Sequence, residues 1–245
     1  MIYASLAYND EQYSRVQPRL PVLPCLHASA VLFDGGKTTH RKLRTATDLA
    51  RVIDTYYGKQ LTRSYDGPLC VDFEPWNGVN GPNKDPITVE EVNRLVVEAV
   101  QLVKTVVKDA KVGVWGIPSS NVYLGSHAKD MEPEDLAPVW AVCDYVMPHD
   151  YTRAVHFNGS QRRLSAGRIS DAAATGLPVI PFISPRSWPG GDSFIPQEVV
   201  VERAKQLLRL GVEAVCYWDG LDKDESMAAQ QRLRWDSDAW HLLDL

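Results

Sequence analysis

Short apolar runs recur along the chain, and longer stretches between them return an apolar residue every three or four positions. The runs at 70–73, 112–115, 145–147, 178–183 and 214–218 are rich in Val, Ile and aromatic residues. Gly, Pro or Asp bounds each of them, which is the pattern of buried strands. Thr88, with Glu91 three residues on, forms a capping box. From there Val92, Leu95, Val96, Ala99, Val103, Val106 and Val107 mark one apolar helical face. A second helix is predicted over 196–210, with Pro196 in its first turn and Gly211 as its stop. A third runs over 48–57 and ends at Gly58.

Alternation of strand and helix implies parallel strands joined by right-handed crossovers. Two more strands are expected at 2–7 and 22–26, with 30–33 continuing the second. The count is then about seven. The fold class is α/β, a TIM-like (β/α) barrel that is distorted or incomplete, and residues 1–245 form one such domain. A chain of 245 residues suits one barrel of this kind. An open doubly wound sheet is the alternative. Against it, no strand is followed by GxGxxG or GxxxxGK[ST]. No internal repeat is present.

Composition changes this picture little. With 44% hydrophobic and 23% charged residues, a core is available without disulfides or metal. A net charge of −5 and a pI near 5.7 give no general attraction to nucleic acid or to an anionic membrane. The first residues do not read as a signal peptide, and no apolar run is long enough to span a bilayer. Cys25, Cys70, Cys143 and Cys216 each lie in or beside an apolar run and form no CxxC pair. They read as buried free thiols, which modestly favours a reducing compartment such as the cytoplasm. His27, His40, His127, His156 and His241 have no metal-site spacing and read as surface or core residues. No cofactor is implied, GxSxG is absent, and the oligomeric state stays open. Arg162, Arg163 and Arg168 lie near one helical turn and read as a solvated face.

The chemistry concentrates at strand ends. In LCVDFEPW, residues 69–76, Asp72 and Glu74 are two apart. On a strand they share a face, so if Val71 and Phe73 meet the helices, both carboxylates point into the barrel. Close like charges and partial burial keep one carboxyl protonated toward neutral pH, which is what a general acid needs. The loops after Glu74 and Ile183 are long and rich in Gly and Pro. They leave the strand ends where barrel enzymes place catalytic loops. Other strand ends contribute Trp115 and Tyr123, then His149, Asp150 and Tyr151, then Arg186 and Trp188, and finally Trp218 and Asp219. With Trp76, these aromatic faces and directed polar groups suit sugar rings.

DFEPW resembles the D-x-E-x-W strand of the hyaluronidase family of glycoside hydrolases. WGIPSSNVY, DYVMPHDY and VCYWDG resemble later segments of that family, in the same order, so the resemblance covers about residues 69–220. Chitinase-like families share the D-x-E strand and the Trp of the last strand. The resemblance implies a distorted seven-stranded barrel and substrate-assisted cleavage of a glycan containing N-acetylhexosamine. Glu74 would be the general acid and base. Asp72 would orient the acetamido group, Tyr151 would hydrogen-bond at the reacting sugar, and Trp218 would floor its pocket. The chain departs from the family in its lack of evident cysteine pairs, its shorter length and its N-terminal third. Two other readings stand beside this one. One is a two-carboxylate glycosidase such as a muramidase, with Asp150 or Asp219 as the second acid. The other is a non-catalytic glycan-binding, virion or surface structural protein on a degenerate barrel.

Overall fold

The structure is a computed structural model that describes residues 1–6, 10–16, 18–32, 42–72, 89–116, 133–151, 158–186, 193–219 and 225–245. Among these residues there are seven strands: β1 (Ile2–Ser5), β2 (Cys25–His27), β3 (Pro68–Asp72), β4 (Lys111–Trp115), β5 (Tyr145–Met147), β6 (Phe182–Ile183) and β7 (Val215–Trp218). Every pairing between them is parallel. One sheet runs β2-β3-β4-β5 and the other β1-β7-β6. Isolated bridges stitch the two together: Ala4 with Val22 at one seam, and Val146 with Val179 and His149 with Phe182 at the other. The strands therefore follow chain order around a distorted (β/α) barrel.

Eight helices accompany them: α1 (Asp10–Val16), α2 (Ala28–Val31), α3 (Ala46–Tyr56), α4 (Val89–Val106), α5 (Ala137–Trp140), α6 (Gly159–Ala173), α7 (Gln197–Arg209) and α8 (Glu225–Leu243). Thr45 caps α3 by accepting from the Asp48 amide, so that helix begins two residues before the sequence pattern places it. Asn158 caps α6 by accepting from Ser160 and Gln161. Gly211 follows α7 at φ +82°, a conformation that glycine adopts without strain. Thr88 lies outside the described residues. No described helix is long and apolar enough to cross a membrane.

Two expectations about strands are corrected. Residues 30–33 do not extend β2. The chain turns at His27, whose ring accepts from the Ser29 amide, and enters the short helix α2; Phe33 lies outside the described residues. The run 178–183 yields only a two-residue strand because Pro178 and Pro181 bring no N–H to a ladder. Val179 is left as an isolated bridge.

Alternation along the strands divides the core in two. Leu26, Leu69, Val71, Val112, Val114, Val146, Val215 and Tyr217 face outward and pack with Leu49, Ile53, Val96, Val103 and Leu207 of the helices. Cys25, Cys70, Met147, Phe182 and Cys216 face inward and fill the barrel, with Tyr3, Trp115 and Trp218 packed against them. Gly113 belongs to this inner set. A Cβ there would come within 2.8 Å of the Met147 sulfur, so the missing side chain is the space Met147 occupies. All four cysteines are buried free thiols.

Candidate functional site

Toward the C-terminal ends of the strands the lining of the barrel's inner face changes from apolar to mixed. Leu69 and Val71 are buried in the outer layer, so Cys70 and Asp72 project inward. Asp72 is half-buried. Removal from water raises its pKa from the ordinary carboxyl value, and His27 opposes that shift. His27 is its register partner on β2. On the other side, Val71 pairs with Val114, which sets Trp115 at the level of Asp72.

Beyond β5 the same alternation continues. His149 and Tyr151 turn inward, and Trp115, His149, Tyr151 and Trp218 form one aromatic group. Ring centroids are 5.7 Å apart for Trp115 and His149, and 5.7 Å for His149 and Tyr151. Trp115 and Tyr151 are 6.1 Å apart. Tyr151 stacks on Trp218 at 5.5 Å with 22° between the planes. These spacings are those of favourable aromatic pairs. His149 is buried, and its pKa is lowered to about 4, first by desolvation and then by the nearby Arg168 charge, with Asp150 acting in the opposite sense. At neutral pH it is an uncharged ring in an aromatic wall.

Asp150 points the other way. Its carboxylate accepts from Ser165 Oγ at 2.7 and 2.9 Å, from Arg168 Nη1 at 3.1 Å and from Arg203 Nη2 at 3.0 Å. Arg168 also donates to the Tyr151 carbonyl at 3.3 Å. The group anchors the β5 strand end to α6 and α7. Asp219 behaves alike after β7: it pairs with Arg186 Nε at 2.7 Å and accepts from Trp235 Nε1 at 3.2 Å. Asp150 and Asp219 are each one residue out of phase with the inward positions, which is why both carboxylates enter the helix layer.

Of the sequence-designated residues, Asp72, Trp115, His149, Tyr151 and Trp218 are thus brought to one end of the barrel interior. Asp150, Arg186 and Asp219 are held in buried ion pairs outside that aromatic group. Glu74, Trp76, Tyr123 and Trp188 lie outside the described residues. Arg168 corrects the expectation of a solvated arginine face, since it turns inward to Asp150. Arg162 pairs with Glu202, and Arg163 donates to Ser160. His27 is the residue that sequence reasoning passed over. Its place beside Asp72 follows from strand register, which no local motif encodes. Among the described residues no three His, Cys, Asp or Glu side chains converge to hold a metal ion.

No protein-family model and no curated protein matches this sequence. Solved structures do match its fold. A crystal structure of bee venom hyaluronidase matches with a TM-score of 0.66 at 13% identity, covering 98% of both chains. The same enzyme in complex with a hyaluronic acid tetramer matches with 0.63 at 14% identity, over 96% of this chain and 94% of that one. A Prevotella bryantii endo-β-mannanase/endo-β-glucanase matches with 0.51 at 12% identity, over 92% of this chain and 36% of that one. Over nearly its whole length, then, this chain has the distorted (β/α)-barrel fold that is also found in bee venom hyaluronidase.

Proposed function

We propose that this protein is a glycoside hydrolase that cleaves a glycan containing N-acetylhexosamine by substrate-assisted acid/base catalysis. The observation that carries the reading is Asp72, an inward-facing, half-buried carboxyl at a strand end, level with Trp115 and at the same end of the barrel as the stacked Tyr151–Trp218 pair. A buried acid costs stability, and a simple carbohydrate platform of aromatic rings has no need of one. The likeness in fold to an enzyme solved with a hyaluronic acid tetramer is in keeping with a carbohydrate ligand.

In this mechanism Glu74, two residues beyond Asp72 in sequence, gives its proton to the leaving glycosidic oxygen. The acetamido carbonyl oxygen of the same sugar attacks the anomeric carbon as that bond breaks. Ionised Asp72 accepts the acetamido N–H and stabilises the positive charge of the cyclic intermediate. Water then attacks the anomeric carbon, gives a proton to Glu74 and reopens the ring. Tyr151 contacts the reacting sugar, and Trp218 lies under it. Buried pairing of Asp150 and Asp219 supports this scheme over one with an enzyme nucleophile, since each is committed to arginine.

The test is a hydrolysis screen over N-acetylated polysaccharides and peptidoglycan, with Glu74→Gln as control. The amide keeps the shape but has no proton to donate, and loss of a general acid should lower kcat by at least about 100-fold. Near-normal turnover by the variant removes Glu74 from the mechanism. Equal cleavage of a substrate lacking the N-acetyl group removes the substrate-assisted step.

A further inference from the structure

His27 and Asp72 are directly paired in register across β2 and β3. Residues in register on adjacent strands project to the same side of the sheet. Two further features fix the imidazole there. His27 ends β2 and caps α2: its Nδ1 accepts from the Ser29 amide at 3.4 Å and lies 3.2 Å from Ser29 Oγ. A serine hydroxyl can donate or accept. In the neutral ring Nδ1 accepts, and in the cation it donates to Ser29 Oγ, so Ser29 meets the ring in both protonation states. In both, Nε2 carries a hydrogen. The ring is also exposed, so protons and a glycan can reach it.

Among the described residues, the other groups around Asp72 do not supply positive charge. Cys70, below it on β3, is pushed well up by burial. Cys25, below His27, is also raised: its contact with Cys70 acts in the opposite sense, but burial and Asp72 outweigh it. Tyr57, at the end of α3, is raised chiefly by burial and stays a neutral phenol. Arg44 lies on the far side of His27, where it donates to the Ser29 carbonyl at 3.2 Å. Among the described residues, His27 is the neighbouring side chain that can carry a positive charge beside Asp72.

We propose that His27 is a positioning residue of the candidate site, an imidazole one strand from Asp72 that holds the Asp72 carboxylate in place to receive an acetamido N–H. This rests on the reading of the β3 end as the glycan site. A positive imidazole there opposes the effect of burial on Asp72, so the pair keeps an anion at the β3 end. Without the imidazole, Asp72 would become neutral at higher pH and lose its hold on the cyclic intermediate.

Two variants test this in the full-length protein. His27→Asn removes the imidazole but keeps a good helix cap, so the β2–α2 turn is preserved. His27→Lys carries a positive charge across the whole range. The readout is the carboxyl 13C titration of Asp72, assigned with Asp72→Asn, alongside the pH profile of hydrolysis. In His27→Asn the Asp72 midpoint should rise by several tenths of a pH unit or more. The acid limb of kcat should rise with it while KM changes little. In His27→Lys the midpoint should stay at or below that of the unsubstituted protein. An Asp72 midpoint unmoved in folded His27→Asn overturns the proposal. If the midpoint moves as expected but the unsubstituted protein cleaves no N-acetylated glycan, the hydrolase reading fails and the His27–Asp72 coupling stands.

Discussion

Replacing Asp150 with alanine should be among the most damaging single changes to this fold, though Asp150 touches no substrate in the proposed mechanism. Its carboxylate is 1% exposed as a residue and neutralises two guanidinium groups, Arg203 at 3.0 Å and Arg168 at 3.1 Å, with side-chain exposures of 1% and 16%. Removing the carboxylate leaves those cations in the helix layer without their counter-ion. Breaking a buried pair by deleting one partner costs about 3–5 kcal/mol, well above the ~1 kcal/mol limit of surface pairs. For a chain of this size that corresponds to a drop of roughly 6–20 °C in Tm. Urea denaturation followed by tryptophan fluorescence reads the loss directly. Replacing Asp150 and Arg203 together by Leu and Met should recover part of it, because only the more exposed Arg168 is then left without the carboxylate. The reasoning is refuted if Asp150→Ala loses less than about 1 kcal/mol, or if the double replacement is no better than the single.

Two further predictions concern acid–base behaviour. The His149 pKa in the folded protein is about 4 against about 6.5 in the unfolded chain, so the unfolded state binds more protons between those values. Stability should therefore be full above about pH 6.5 and fall by roughly 3 kcal/mol as pH drops to about 4. His149→Gln should flatten that part of the Tm–pH curve, and an unchanged curve would reject the buried neutral imidazole. Asp72 has the opposite sign. Burial raises it, so its ionisation weakens the fold as pH rises through its titration, and Asp72→Asn should raise Tm at neutral pH while lowering turnover strongly. A variant that is both less stable and fully active would contradict both its burial and its place in the site.

Much of the barrel is legible in the chain because its determinants are local. Leu69, Cys70, Val71 and Asp72 form an extended run whose alternation fixes which side chains share a face, whatever lies next to it. The capped apolar stripe from Glu91 to Val107 similarly specifies a helix with one buried face. Inward placement of Asp72 followed from that parity, as did the gathering of Trp115, Tyr151 and Trp218 at strand ends. The same parity, applied one residue further along, would have assigned Asp150 and Asp219 to the helix layer. Their carboxylates stand in the buried ion pairs with Arg168, Arg203 and Arg186.

What the sequence by itself determined is therefore most of the strands and the three strongest helices, their order and the face each residue takes within its own element, since these depend on contacts a few positions apart. Tertiary structure alone decided the partners. Arg168 and Arg203 meet at Asp150 from two helices, and Arg186 and Trp235 meet at Asp219. His27 stands beside Asp72 because β2 and β3 pair in one register out of several that their short apolar runs allow. Such meetings join residues 16 to 53 positions apart. They are set by how whole faces pack and how strands slide into register, and no local pattern along the chain records that.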